Sequence, residues 1–198
     1  MSFQIKILLL SFAVSVVVSL IIIPILKKLK VGQSEREDGP KSHLNKKGTP
    51  TMGGLILIIS TIILSAFLYV DYAENEIEIA TRLLPMVFVT IGFGLIGFID
   101  DFKKVVLHNT DGLSPRLKML GLMVIAIIYV VMLVFNFENG TDIYIPFINK
   151  YVEIPLWIYI PFAVVVILAT TNAVNLTDGI DGLSTSVTTI ILTCLTVI

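Results

Sequence analysis

The sequence predicts an all-α polytopic membrane protein of about six transmembrane helices, and three observations carry that prediction. Of its 198 residues 56% are hydrophobic and only 15% charged, with a mean hydropathy of +0.93. Soluble domains usually carry about 25% charge, so the deficit points to lipid as the solvent. Apolar runs near the ~20 residues needed to cross a bilayer recur at 7–26, 54–70, 83–99, 119–135, 156–171 and 184–198. The polar segments between them alternate in charge.

The first run is too long for a secretory signal and lacks a small-residue cleavage site, so it is expected to be retained as a span. The next four follow as further crossings of one membrane domain, 1–198. The sixth starts near Ser184 and reaches Ile198 with no polar flank. The chain is therefore expected to belong to a longer protein.

The segment 27–53 carries seven cations: Lys27, Lys28, Lys30, Arg36, Lys41, Lys46 and Lys47. The next connection is acidic, with Asp71, Glu74, Glu76 and Glu78 against Arg82. Segment 100–118 is again cationic (Lys103, Lys104, Arg116, Lys118), and 136–155 has only Lys150. The positive-inside rule then places 27–53 and 100–118 in the cytoplasm and the N-terminus outside. By parity 172–183 is cytoplasmic too. Within 136–155, Asp142 to Pro146 and Tyr151 to Pro155 alternate around Asn149 and Lys150, which predicts a short external hairpin turning at those two residues. Cys194 is the single cysteine, so no internal disulfide forms.

Three of these polar segments hold residues suited to chemistry, all on the predicted cytoplasmic face. The first runs Lys46, Lys47, Gly48, Thr49, Pro50, Thr51, Met52, Gly53, Gly54. Glycine admits close backbone approach to a ligand, and lysines meet phosphate as point charges. A basic interfacial flank ending in a helix-starting turn would have the same composition. The second is Asp100 with Asp101, followed by Lys103 and Lys104. Adjacent carboxylates at a helix C-terminus repel each other and face the negative end of the dipole. A cation must offset this, either a nearby lysine or a bound Mg²⁺, which takes oxygen ligands and bridges phosphates. A charged interfacial cap is the alternative. The third places Asn172, Asn175, Asp178 and Asp181 three residues apart, with Gly179 and Gly182 directly after the two carboxylates. Residues three apart neighbour one another on a helical face, so these groups suit convergence on one ligand. A plain polar turn needs fewer oriented oxygens.

Other signals are weaker. Gly92, Gly94 and Gly97 match a dinucleotide-binding string but lie in an apolar run with no preceding strand, which favours helix packing. Ser11, Ser15 and Ser19 form a small-residue stripe of the same kind. His43 and His108 have no second His or Cys nearby to share a metal. Lys118, at the start of the fourth span, suits either snorkelling or a phosphate.

Taken together, the three motifs resemble the polyprenyl-phosphate N-acetylhexosamine-1-phosphate transferase superfamily along essentially the whole chain. Its members normally have about ten spans. The Thr49 to Met52 stretch is similar to the form found in the peptidoglycan branch rather than in the sister enzymes that transfer GlcNAc-1-phosphate. The resemblance implies Mg²⁺-dependent transfer of phospho-N-acetylmuramoyl-pentapeptide from its UDP conjugate to undecaprenyl phosphate, giving lipid I and UMP. It implies catalytic roles for Asp100, Asp101, Asp178 and Lys118, with Asp100 deprotonating or orienting the lipid phosphate. Lys46, Thr51, Asn175 and Asp181 would bind the nucleotide-sugar, and Asp101 and Asp178 the metal. The implied setting is the bacterial cytoplasmic membrane, with the site on its cytoplasmic face. The second half of a family member supplies further site residues, so this chain alone is expected not to turn over.

The partners expected are the two substrates and the bilayer, with no nucleic acid; small-residue stripes and the resemblance suggest a homodimer. The nearest alternative is polyprenyl-phosphate GlcNAc-1-phosphate transfer. A transporter would need ionisable groups within the spans, where this sequence has essentially none. A non-catalytic membrane scaffold explains the spans but not three polar motifs on one side.

Overall fold

The computed structural model describes residues 3–28, 52–74, 76–106, 112–137, 140–179 and 182–197. The elements run α1 (Phe3–Lys28), α2 (Gly54–Ala73), α3 (Ile77–Val106), α4 (Pro115–Asn136), β1 (Asp142–Ile145), β2 (Lys150–Glu153), α5 (Leu156–Thr177) and α6 (Leu183–Val197). Helices α1 to α5 are each long and apolar enough to cross a membrane, while the apolar part of α6 is shorter. Large apolar side chains line their outer surfaces, among them Leu8, Phe12, Leu57, Phe67 and Val165. In lipid such a surface is solvated, and helices satisfy every backbone polar group internally. The chain is a multi-pass membrane protein.

The helices overrun the apolar runs that predict them. α3 continues past the end of its apolar run at Ile99, through Asp100 and Asp101 to Val106. α5 carries Asn172 and Asn175, which the sequence places in a loop, to Thr177. Charged residues beyond the hydrocarbon do not end a helix, because the intrahelical bonds continue to form. On α5 the polar side chains also fold back. The Thr170, Thr171 and Thr177 hydroxyls donate to carbonyls one turn earlier at 2.8 Å, and the Asn172 amide donates to Leu168 O at 2.7 Å.

The chain divides into two compact units, Met1–Ile125 and Ala126–Ile198. In the first, α2 packs on both α1 and α3. Close approach depends on glycine. A Cβ on Gly92 of α3 would fall 2.8 Å from Ile125 Cγ2, and one on Gly121 of α4 would fall 2.7 Å from Ile96 Cδ1. A Cβ on Gly94 would overlap Ile58 of α2. Gly92 and Gly94, two of the three glycines in the dinucleotide-like string, are thus packing residues. A cluster of Leu26 and Met52, with Ile22, Leu55, Phe98 and Val105 against it, joins α1, α2 and α3. Phe98 and Val105 flank the carboxylate pair of α3 in sequence, so this core fixes the helix end that bears it.

In the second unit, β1 and β2 form an antiparallel hairpin in the register Asp142↔Glu153, Ile143↔Val152, Tyr144↔Tyr151, Ile145↔Lys150. The turn differs from the predicted one: Lys150 opens β2, and residues 146–149 make the reversal, with Asn149 at φ 53°. Asparagine tolerates that left-handed geometry, and Pro146 ends β1 because it has no N–H for the ladder.

Candidate active site

The end of α3 is organised by Asp100. Its side chain is buried, the residue being 5% exposed, and both oxygens are occupied. Leu113 N–H donates to Oδ1 at 2.8 Å. The ammonium groups of Lys104 and Lys118 donate to Oδ2 at 2.9 and 3.3 Å. Lys104 lies one turn further along α3, whereas Lys118 reaches across from α4. A buried carboxylate requires such partners.

The short descent into α4 is shaped around this carboxylate. Gly112 sits at φ 63°, and a Cβ there would lie 2.5 Å from Asp100 Oδ1 and 2.6 Å from Lys104 Cε. Only glycine meets both demands, the positive φ and the missing side chain. Ser114 then starts α4. Its carbonyl accepts Lys118 N–H at 3.0 Å and its hydroxyl accepts Leu117 N–H at 3.4 Å, while Pro115 occupies the first helical position, as favoured there. Arg116 and Lys118 consequently stand in the first turn of α4, where the helix dipole already favours anions. Cations at a helix N-terminus lack that favourable field, and for Lys118 the Asp100 carboxylate offsets the cost.

Asp101 differs from its neighbour. It is half-buried and makes no hydrogen bond or ion pair with another described residue.

At the end of α5, Asn172 is spent on its own helix. Asn175 and Asp178 are exposed, and neither bonds to another described residue. Asp178 is the C-cap (φ −80°, ψ 36°), so the helical three-residue spacing that links Asn172 to Asn175 stops before it. Gly182, at φ 81°, restarts the chain into α6. Lys46, Thr51 and Asp181 lie outside the described residues, as do His43 and His108. Met52, beside Thr51, is buried at φ 67°. A non-glycine residue held there by packing against Leu26 fixes the entry to α2.

The structure thus brings together Asp100, Lys104 and Lys118, with Asp101 next in the chain. The predicted residues Asn175 and Asp178 lie in the other compact unit. The sequence reading passed over Gly112 and Leu113; the run Gly112, Leu113, Ser114, Pro115 carries a turn-then-helix signal that marks the loop. Among the described residues no three His, Cys, Asp or Glu form a cluster. A Mg²⁺ site does not need one, since that ion commonly takes one or two carboxylates and completes its shell with water and substrate phosphates. Asp101 and Asp178 each carry a carboxylate of the kind such a site uses.

The end of α3 and the first turn of α4 thus carry a carboxylate–lysine cluster at the limit of the apolar spans. The profile of glycosyl transferase family 4 matches residues 83–198, and this chain belongs to that family. Residues 46–58 match phospho-N-acetylmuramoyl-pentapeptide-transferase signature 1. The chain is 47% identical over 190 residues to the phospho-N-acetylmuramoyl-pentapeptide-transferase of Acetivibrio thermocellus, covering 96% of this chain and 54% of that relative. It is 49% identical over 173 residues to the enzyme of that name from Staphylococcus saprophyticus, covering 86% and 52%. For Clostridium botulinum the figures are 46% over 187 residues, covering 94% and 54%. The chain spans about half the length of the curated relatives it matches.

Proposed function

We propose that the full-length protein transfers phospho-N-acetylmuramoyl-pentapeptide from its UDP conjugate to undecaprenyl phosphate, giving lipid I and UMP. The observation that carries this reading is the signature match at 46–58, the segment with the Thr49 to Met52 form. The relatives' shared name supports it. A phosphate oxygen of the lipid attacks the β-phosphorus of the nucleotide-sugar; the bond to the UMP oxygen breaks and UMP leaves with that electron pair. Phosphoryl-type transfer needs mainly positioning and charge neutralisation.

In this reading the Asp100 knot is a positioning device. Its carboxylate holds Lys104 and Lys118, and the cationic first turn of α4 meets the phosphates. The three donors on Asp100 support its orienting role over that of a free base. Asp101 and Asp178 would hold Mg²⁺, which when bound neutralises phosphate charge. Lys46, Thr51, Asn175 and Asp181 bind the nucleotide-sugar. The positive-inside pattern supports placing the site on the cytoplasmic face of the bacterial inner membrane. Small-residue stripes support a homodimer.

The test is conversion by membranes carrying the full-length protein, with UDP-N-acetylmuramoyl-pentapeptide and UDP-GlcNAc as parallel donors, with and without Mg²⁺. Lipid I from the muramoyl donor alone, only with Mg²⁺, is the expected result. Product from UDP-GlcNAc instead would move the activity to the sister reaction, and product from neither donor would overturn the enzyme reading.

A further inference from the structure

The hairpin between α4 and α5 plays no part in the proposed reaction, and its side chains are arranged unlike those of a loop in water. Phe147, at the tip, is 99% exposed, and Ile148 beside it is 56% exposed. Behind them the rings of Tyr144 and Tyr151 lie 5.1 Å apart in a cross-strand pair, with Tyr151 74% exposed. Charge is segregated along the same hairpin. Lys150 adjoins the apolar tip, whereas Asp142 and Glu153 face each other at the opposite, basal end.

The apolar tip is also held in a fixed shape. The Tyr144 hydroxyl donates to Asn149 Oδ1 across the reversal, and Asn149 takes the left-handed conformation that closes it. Ile154 N–H donates to Thr141 O at 3.2 Å and ties the base. The chain therefore presents these apolar groups on a structured element.

The base is attached to the membrane surface by the chain itself. β2 ends at Glu153 and α5 begins at Leu156, the first of 22 residues of a membrane-crossing helix. Trp157 in its first turn is exposed, and tryptophan is enriched at the membrane–water boundary. A four-residue strand extends about 13 Å, while the polar layer beside the hydrocarbon is only about 5–8 Å deep. A hairpin standing off the surface would hold Phe147 and Ile148 in water. One lying along it brings them to the acyl boundary, leaves the tyrosine hydroxyls among headgroups, and lets Lys150 reach lipid phosphates.

We propose that the hairpin is a membrane-surface anchor, with Phe147 and Ile148 inserted at the headgroup–acyl boundary on the side from which α5 enters. Its partner is the phospholipid surface, and Lys150 supplies the charge complementarity to lipid phosphate. The proposal holds for either orientation of the protein in the bilayer and does not depend on the reaction proposed above.

The experiment uses full-length protein in vesicles of phosphatidylethanolamine and phosphatidylglycerol bearing radiolabelled acyl chains. p-Benzoylphenylalanine replaces Phe147 in one variant and Ile148 in a second, so the two positions report independently. Illumination is expected to attach labelled lipid to the protein from both, with mass spectrometry placing the bond near the glycerol end of the acyl chain. Cross-links only within the protein would show that another segment of the same chain covers the tip. Cross-links only between copies would show a protein interface. Either result, or no adduct at both positions, overturns the anchor.

Discussion

Two helix ends in this protein treat their carboxylates in opposite ways. At the end of α3, Asp100 is buried and gives both oxygens to Leu113, Lys104 and Lys118. At the end of α5, Asp178 caps the helix in the open, and neither it nor Asn175 bonds to another described residue. A carboxylate already saturated with donors shapes the site around it, whereas one left exposed is free for a ligand. Both residues belong to carboxylate-bearing motifs at the ends of apolar runs, so such a motif alone does not reveal which task it performs. If the contrast is right, substitutions at the two ends should separate stability from turnover.

The largest effect on turnover is expected from Asp178→Asn. Removing one charge-stabilising group from a transferring phosphate typically costs about 10²–10³-fold. The side chain has no described partner to lose, so the melting temperature of the detergent-solubilised full-length protein should stay unchanged. A lowered melting temperature would show that Asp178 also braces the fold and would erase the contrast.

Asp100→Asn is expected to damage both properties. The amide oxygen can still accept Leu113 N–H, but the two ammonium groups lose their counter-charge. Hydrogen bonds to charged groups contribute about 1.5–3 kcal/mol each. The lysine side chains are themselves 40% and 31% exposed, so water screens part of the loss and a total of ~1–3 kcal/mol is expected. Chemical denaturation should register that loss while insertion persists, and turnover should fall by ~10²-fold or more. Retained activity in both this variant and Asp178→Asn would sink the site assignment.

How far this contrast was legible in the sequence depends on the range of the interaction involved. The spans are legible because lipid imposes about 20 apolar residues on any crossing helix. The helix ends are not, since nothing in the hydrocarbon rule stops α3 at Ile99 or α5 at Thr171. What starts α4 is local: Gly112, Ser114 and Pro115 can be read in order as a turn and a helix start. The hairpin was legible from alternation, though its reversal fell earlier because Pro146 already ends the ladder. The carboxylate pair at Asp100 and Asp101 was also visible as a charge problem needing a cation. That Lys104 pairs with Asp100 follows from its i,i+4 spacing, whereas Lys118 crossing from α4 to the same oxygen is a tertiary fact with no signature in spacing.

The glycines in the two regions sharpen the same comparison. Gly112 and Gly182 both hold a positive φ, of 63° and 81°. A left-handed residue with a Cβ costs about 1–2 kcal/mol, so Gly112→Ala and Gly182→Ala share that penalty. Only Gly112 adds a collision, with Asp100 and Lys104, because nothing lies within 4 Å of a Cβ on Gly182. Gly112→Ala should therefore destabilise more in a denaturant series and lower turnover by displacing the Asp100 knot. Equal losses would mean that the loop relaxes around the added methyl and that its close fit matters little.

The smallest effect is expected at the start of α4. Replacing an N-cap serine by alanine usually costs about 0.5–2 kcal/mol. Here the hydroxyl accepts Leu117 N–H at a long 3.4 Å, which places Ser114→Ala at the low end, near 0.5 kcal/mol. The helix start is held independently by the Ser114 carbonyl, by Pro115 and by the Lys118 bond to Asp100. Turnover should consequently change less than twofold, within the reproducibility of a membrane assay. A much larger loss of activity at unchanged stability would mean that the Ser114 hydroxyl meets substrate directly.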